Sequence, residues 1–142
     1  MTLENLLGTA LEKIHLDTAN INRLIMAARR SLADAQLAEM SSEGRFDMAY
    51  KSIMQAANAA LQAHGFRTLT SKPGHHVTMI QTLNKTVGLD RQFMITLDGL
   101  RKLRNLSDYS GDPVSETMAS EAVVHAKRLL GEVESWIAEN SI

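Results

Sequence analysis

Ala49-Tyr50-Lys51-Ser52-Ile53-Met54-Gln55-Ala56-Ala57-Asn58-Ala59-Ala60-Leu61-Gln62-Ala63-His64-Gly65 is the stretch that decides the fold. Ala49, Ile53, Ala56, Ala57, Ala60 and Leu61 recur at helical spacing, and the pattern stops at Gly65, a residue suited to the left-handed turn that ends a helix. Ala56, Ala57, Ala59, Ala60 and Ala63 crowd into two turns. Side chains this small let helix backbones approach closely. One reading is a tightly packed core helix; the other is a seam between two copies of the chain.

The same period extends outward in both directions. Upstream, Ser41-Ser42-Glu43-Gly44 is a break. Before it, Ile21, Leu24, Ile25, Ala28 and Leu32 make a stripe whose helix can run to Met40. Leu3, Leu6, Leu7, Ala10, Leu11 and Ile14 make an earlier one. Downstream, the loop from Thr68 to Gly74 carries Ser71-Lys72-Pro73-Gly74. A shorter helix with Val77, Ile80, Leu83 and Val87 follows and ends at Gly88. Asp90 fits an N-cap for a helix carrying Phe93, Leu97, Leu100 and Leu103. The turn Asp108 to Pro113 leads into a last helix, capped by Asp112 or Ser115, with Ala119, Ala122, Val123, Ala126, Leu130, Val133 and Ile137 on one face. No alternating β-branched or aromatic run suggests a strand, and only 4% of residues are aromatic. Short connections favour antiparallel neighbours, so the sequence predicts an all-α antiparallel helical bundle with an extra N-terminal helix.

Composition narrows the function. A chain of 142 residues fits one domain. With no cysteine, disulfide scaffolds, zinc ribbons, Fe–S clusters and thiol catalysis are excluded. Neither a run of apolar residues long enough for a bilayer nor a signal-peptide pattern is present, which predicts a cytoplasmic protein with no membrane partner. The 15 basic and 16 acidic residues nearly cancel, so any attraction for nucleic acid must be local. Phosphate loops, the nucleophile elbow and the H-E-x-x-H helix are all missing. The histidines show no i, i+4 pair, and the carboxylates no di-iron spacing. No metal and no cofactor are expected. Met48, Met54, Met79 and Met94 read as gap-filling core or interface. A helix-turn-helix reader would need a basic recognition helix, and the segment from His75 to Val87 offers only Lys85.

The densest polar cluster is Arg101-Lys102-Leu103-Arg104-Asn105-Leu106-Ser107-Asp108-Tyr109. One reading is structural, since cations at a helix C-terminus complement the macrodipole. The other is an anion site, because Arg101 and Arg104 share a helix face and can grip a phosphate. His75-His76 is the one adjacent histidine pair: either capping residues or, in a nearby cleft, a proton-transfer group.

These pieces, taken in order, resemble the HEPN family, small helical-bundle domains of many prokaryotic toxin–antitoxin and defence systems. Ser31 to Met40 resembles the family's first helix. Glu43-Gly44-Arg45-Phe46-Asp47-Met48-Ala49-Tyr50 resembles the start of its second, and Ala56 to Gly65 the Ala-rich continuation. Lys72 to His76 is similar to the polar loop before the third helical segment. Arg104-Asn105-Leu106-Ser107-Asp108-Tyr109 resembles a variant of the signature, and Ala119 to Ile137 the closing helix. The resemblance covers about Arg29 to Ile137. It divides the chain into residues 1–28, an N-terminal helical extension with the start of the first bundle helix, and residues 29–142, the bundle.

Many members of the family are metal-independent ribonucleases. Their motif is an Arg, a polar residue directly after it, and a His four to six positions on; two such motifs meet across a homodimer. The resemblance therefore implies a site at Arg104, Asn105 and Tyr109, with Arg101, Asp108, His75 and His76 as further ligand-binding residues. Arg104 would stabilise phosphoryl charge during attack of a ribose 2′-hydroxyl, and Asn105 would orient the phosphate. Tyr109 stands where the motif His would be, and a phenol is a poor base at neutral pH. The expectation is a homodimer, non-catalytic or weakly catalytic, that binds RNA or a nucleotide phosphate near Arg104. The alternatives are an endoribonuclease toxin with an antitoxin or operon partner protein, using a displaced His, and a protein-interaction bundle with no ligand site.

Overall fold

The computed structural model describes residues 2–71, 73–140 and 142; Lys72, part of the expected polar loop, lies outside them. The chain begins with a 3-10 turn at Glu4–Leu6 and a strand β1 (Leu11–Lys13). Helices α1 (Thr18–Ala35) and α2 (Ser42–Ala63) follow, then a strand β2 (Phe66–Thr68). Two short helices, α3 (His75–Gln81) and α4 (Leu83–Thr86), lead to α5 (Arg91–Ser110) and α6 (Glu116–Glu139). The fold is a mostly helical bundle, as the periodicity predicts, with a small two-stranded ladder that it did not.

That ladder corrects the N-terminal expectation. The apolar stripe from Leu3 to Ile14 forms no α-helix. Gly8 takes φ +83°, and the chain turns back so that β1 pairs antiparallel with β2, Leu11 opposite Thr68 and Lys13 opposite Phe66. Glu12 and Arg67 form an ion pair across it. Leu11 is fully buried there, so tertiary packing overrides local helix propensity.

Four helices start on the side-chain caps that helix termini require. Asp17, Ser41, Asp90 and Ser115 accept from the backbone N–H groups of Asn20, Gly44, Phe93 and Met118. Ser115, not Asp112, is therefore the cap of the last helix. The first long helix stops at Ala35 instead of reaching Met40, because Arg45 donates to the carbonyls of Ala35 at 2.8 Å and Leu37 at 2.7 Å. The segment from His75 to Val87 is split at the fully buried Thr82, whose hydroxyl donates to the carbonyls of Thr78 and Met79 and competes with the helical ladder.

α2 is the central helix, packed against α1 and α6 on one side and against α3, α4 and α5 on the other. Ala56, Ala57, Ala59 and Ala60 are fully buried within the monomer. The alanine cluster is thus a core seam and is not available to pair two copies of the chain. α5 ends where Gly111 takes φ +73° and accommodates the left-handed cap. The helix runs to Ser110, so Asp108 and Tyr109 lie in its last turn rather than in the following loop.

Candidate anion-binding cleft

α2, α3 and α5 do not close completely on one another. Between them lies an open cleft of about 510 Å³. α2 contributes Asp47, Lys51, Gln55 and Asn58, α3 contributes His75 and His76, and α5 contributes Arg104. Met48, Met54 and Met79 supply apolar lining, and Tyr50 and Thr70 complete it.

Arg104 reaches the cleft because α5 places its inward face against α3 and α2. Its guanidinium lies 5.0 Å from the centroid of the Tyr50 ring, a cation–π geometry that orients the fork. Among the described residues its one ion pair is to Asp108, long at 3.8 Å, with Arg104 36% and Asp108 53% exposed. Such a pair is weak and leaves the cation available. Lys51, also exposed, enters no ion pair among the described residues.

Tyr50 and His76 form the inner wall. The Tyr50 hydroxyl and His76 Nδ1 are 3.2 Å apart, and the rings of His75 and His76 meet edge to face at 4.6 Å. Burial, then His75, Arg104 and Arg101, holds His76 below the ordinary histidine value. It is therefore mainly neutral at pH 7. Burial pushes the Tyr50 phenol up, against the pull of Arg104 and Arg101. A protonated tyrosine beside a neutral imidazole is a pair able to relay a proton. Burial also raises the Asp47 carboxyl; Arg104 opposes the rise, while Asp108 and Glu43 add to it.

A HEPN domain family model matches residues 21–136. The chain belongs to the HEPN domain family. No curated protein matches it. The matched span takes in α1 from Ile21 onward, β2, α2 to α5 and α6 as far as Trp136, and leaves β1 outside.

In this HEPN domain the fold brings Arg104, His75 and His76 into one cleft, with Asp108 beside Arg104. It does not bring Asn105 or Tyr109 there. On a continuous helix, Asn105 points about 100° and Tyr109 about 140° away from Arg104, and Tyr109 is 91% exposed. Arg101 is mostly buried and donates to Asp98 at 2.8 Å. Its charge reaches Tyr50 and His76, but it does not line the cleft. His64 lies elsewhere, its Nε2 donating to the Thr86 carbonyl and its ring stacked on Trp136; His125 packs near Phe93. Sequence reasoning missed the α2 wall. A signal for it exists: Asp47, Lys51, Met54, Gln55 and Asn58 fall on one stripe of a helix whose opposite side is alanine.

Among the described residues no group of three or more metal-ligating side chains is found, and no helix is long and apolar enough to cross a membrane.

Proposed function

We propose that this HEPN domain binds the phosphate of single-stranded RNA or of a nucleotide in the cleft between α2, α3 and α5, with Arg104 as the principal anion contact. The observation that carries this is the half-exposed Arg104 guanidinium, held over Tyr50 and only loosely paired, in a hollow of nucleotide size. Lys51 adds a second cation, and the methionine lining offers an apolar surface to a base or ribose. HEPN domains are often ribonucleases of defence and toxin–antitoxin systems, which fits an RNA ligand. In this reading two copies pair in solution, on a surface other than the alanine seam. Asn105, Tyr109 and the exposed Leu106 lie outside the cleft, where a partner copy or an operon partner protein can meet them.

The test is titration of fluorescent single-stranded RNA oligomers at stepped salt concentrations. Affinity should fall as salt rises, and Arg104→Ala should weaken binding about tenfold at low salt. Undetectable binding at low salt would leave only a protein-interaction bundle. Sedimentation should give a dimer at tens of micromolar.

The placement of His76 favours a second reading, a metal-independent ribonuclease. A neutral imidazole in the cleft of Arg104 supplies the base that Tyr109 cannot. With its Nδ1–H hydrogen-bonded to the Tyr50 hydroxyl, His76 Nε2 is free to take the 2′-hydroxyl proton while Arg104 stabilises the phosphorane; the P–O5′ bond then breaks and the departing 5′-oxygen takes a proton from water. Cleavage in chelator that leaves 2′,3′-cyclic phosphate ends, and is lost in both His76→Ala and Arg104→Ala, would establish this reading; no cleavage would return the domain to pure binding.

A further inference from the structure

We propose that Asn58 reads the base attached to the bound phosphate. It acts as an N–H donor of fixed orientation and favours a keto-bearing base, uracil or guanine, over an amino-bearing one, cytosine or adenine. This rests on the Arg104 reading above and names what determines specificity at the same cleft.

A side-chain amide is ordinarily ambivalent, because rotation by half a turn exchanges its donor and acceptor ends. Here a chain of contacts removes the choice. It starts at Arg23, whose guanidinium can only donate. Arg23 donates to Asn20 Oδ1 at 3.0 Å, so Asn20 turns its Nδ2 toward Gln62, whose Oε1 accepts. Gln62 is nearly buried, and its Nε2 donates to Asn58 Oδ1 at 3.4 Å. The oxygen of Asn58 is thereby engaged on the Gln62 side, and its Nδ2 hydrogens are left for the cleft that Asn58 lines. Turning any single amide would set donor against donor or acceptor against acceptor, at a cost that keeps the chain in one sense.

Gln55, three residues earlier on the same face of α2, also brings an amide to the cleft, although its partner, the Ser31 hydroxyl, can donate or accept and does not fix its sense. Its Oε1 accepts from the Ser31 hydroxyl at 2.8 Å, which leaves its Nε2 unengaged. The cleft thus offers two amide donors beside the thioethers of Met48, Met54 and Met79, polarizable groups suited to the face of a ring. The O4 of uracil or the O6 of guanine would accept from these donors. In the same pose the exocyclic amine of cytosine or adenine would meet them hydrogen to hydrogen, and a site of unpaired donors discriminates against a base that turns a donor to that edge.

Asn20, Gln62 and Arg23 are positioning residues in this scheme, which allows a test that leaves the cleft lining untouched. Asn20→Asp replaces an amide by an acceptor-only group in the first turn of α1, where a negative charge is favourable. The new carboxylate still pairs with Arg23 and obliges Gln62 to turn its Nε2 toward it. Gln62 then presents Oε1 to Asn58, and Asn58 must turn its oxygen to the cleft. Fluorescence anisotropy with labelled uridine and cytidine oligomers of equal length should show about tenfold tighter binding of uridine by the unsubstituted protein. In Asn20→Asp the preference should vanish or invert, with the dependence on Arg104 intact. Asn58→Leu, close to asparagine in size, should level the two oligomers while the protein stays folded, with a modest fall in melting temperature because the nearly buried Gln62 Nε2 loses its acceptor. Equal affinity for both oligomers, lost on Arg104→Ala, would overturn the base-reading role alone. A uridine preference that survives both Asn20→Asp and Asn58→Leu would remove Asn58 as its source. Failure to bind either oligomer at low salt would overturn the phosphate site as well.

Discussion

α2 has two opposite faces, and the contrast between them accounts for both the stability of this domain and its cleft. Ala49, Ser52, Ala56, Ala59, Ala60 and Ala63 lie on one face, centred about 150° from Asp47, Lys51, Met54, Gln55 and Asn58 on the other. On the small face the neighbours close in. Ser52, fully buried, donates its hydroxyl to the backbone carbonyl of Ala28 on α1 at 2.8 Å, a contact possible only where two helix backbones run close. On the other face α3 is too short to cover the length of α2, and the cleft remains. Small side chains therefore do not make a hollow when rigid helices can approach. A hollow needs larger, mixed side chains and a neighbour that stops short.

The packed side tolerates substitution least. Ala56→Leu adds three carbons where no space exists, and overpacking of this kind costs about 1–3 kcal/mol. Urea titration should show the loss. Lys51→Ala, on the exposed side of the same helix, should stay within about 0.5 kcal/mol. If the two variants are equally destabilised, the faces are not distinct in the way argued.

Next is Arg104→Ala, the reverse case. About a tenfold loss of RNA affinity should accompany little change in the urea midpoint, because the residue is half exposed and its ion pair weak. A variant that loses stability as fast as binding would place Arg104 in the scaffold instead.

The two sides also differed in how far the sequence disclosed them. The packed side was legible: the alanine pattern, its stop at Gly65 and the caps at Asp90 and Ser115 all rest on local chemistry. Whether the alanines met a second copy or their own chain was not local, and burial by α1 and α6 decided it. The N-terminal stripe misled because Gly8 and a ladder between residues 55 positions apart, Glu12 and Arg67, outweigh a helical period. At the cleft, Arg104 and the His75–His76 pair could be singled out from residue type, but not their convergence, which depends on how α3 sits on α5. The sequence pattern places Tyr109 in a turn. Three more helical residues, ended by Gly111, carry it to the outer face, and a boundary of this kind is weakly encoded.

A smaller effect concerns pH, and its sign follows from His76. The folded state holds its imidazole below the ordinary histidine value, chiefly by burial. The unfolded chain therefore binds the proton more readily, and stability is lost as pH falls from about 6.5 toward the folded value. Protonated His76 would add a third cation to the cleft, so phosphate affinity should rise over the same interval. Melting temperature and RNA affinity should thus move in opposite directions below about pH 6.5, and both trends should flatten in His76→Gln. Parallel movement of the two would mean that His76 does not face the ligand.

The weakest response belongs to the carboxylate of the open side. Asp47 is the acidic residue lining the cleft, and burial raises its carboxyl despite the attraction of Arg104. The folded state thus disfavours its ionised form, and Asp47→Asn removes a charge that opposes both folding and an incoming anion. Binding of phosphate-bearing ligands should strengthen by a few-fold, about 0.5–1 kcal/mol in a site open to solvent, with stability unchanged or slightly higher. The gain should shrink as salt rises, since it is Coulombic. A loss of affinity in Asp47→Asn would show instead that Asp47 orients Arg104 toward the ligand, and that the carboxylate belongs to the binding geometry rather than opposing it.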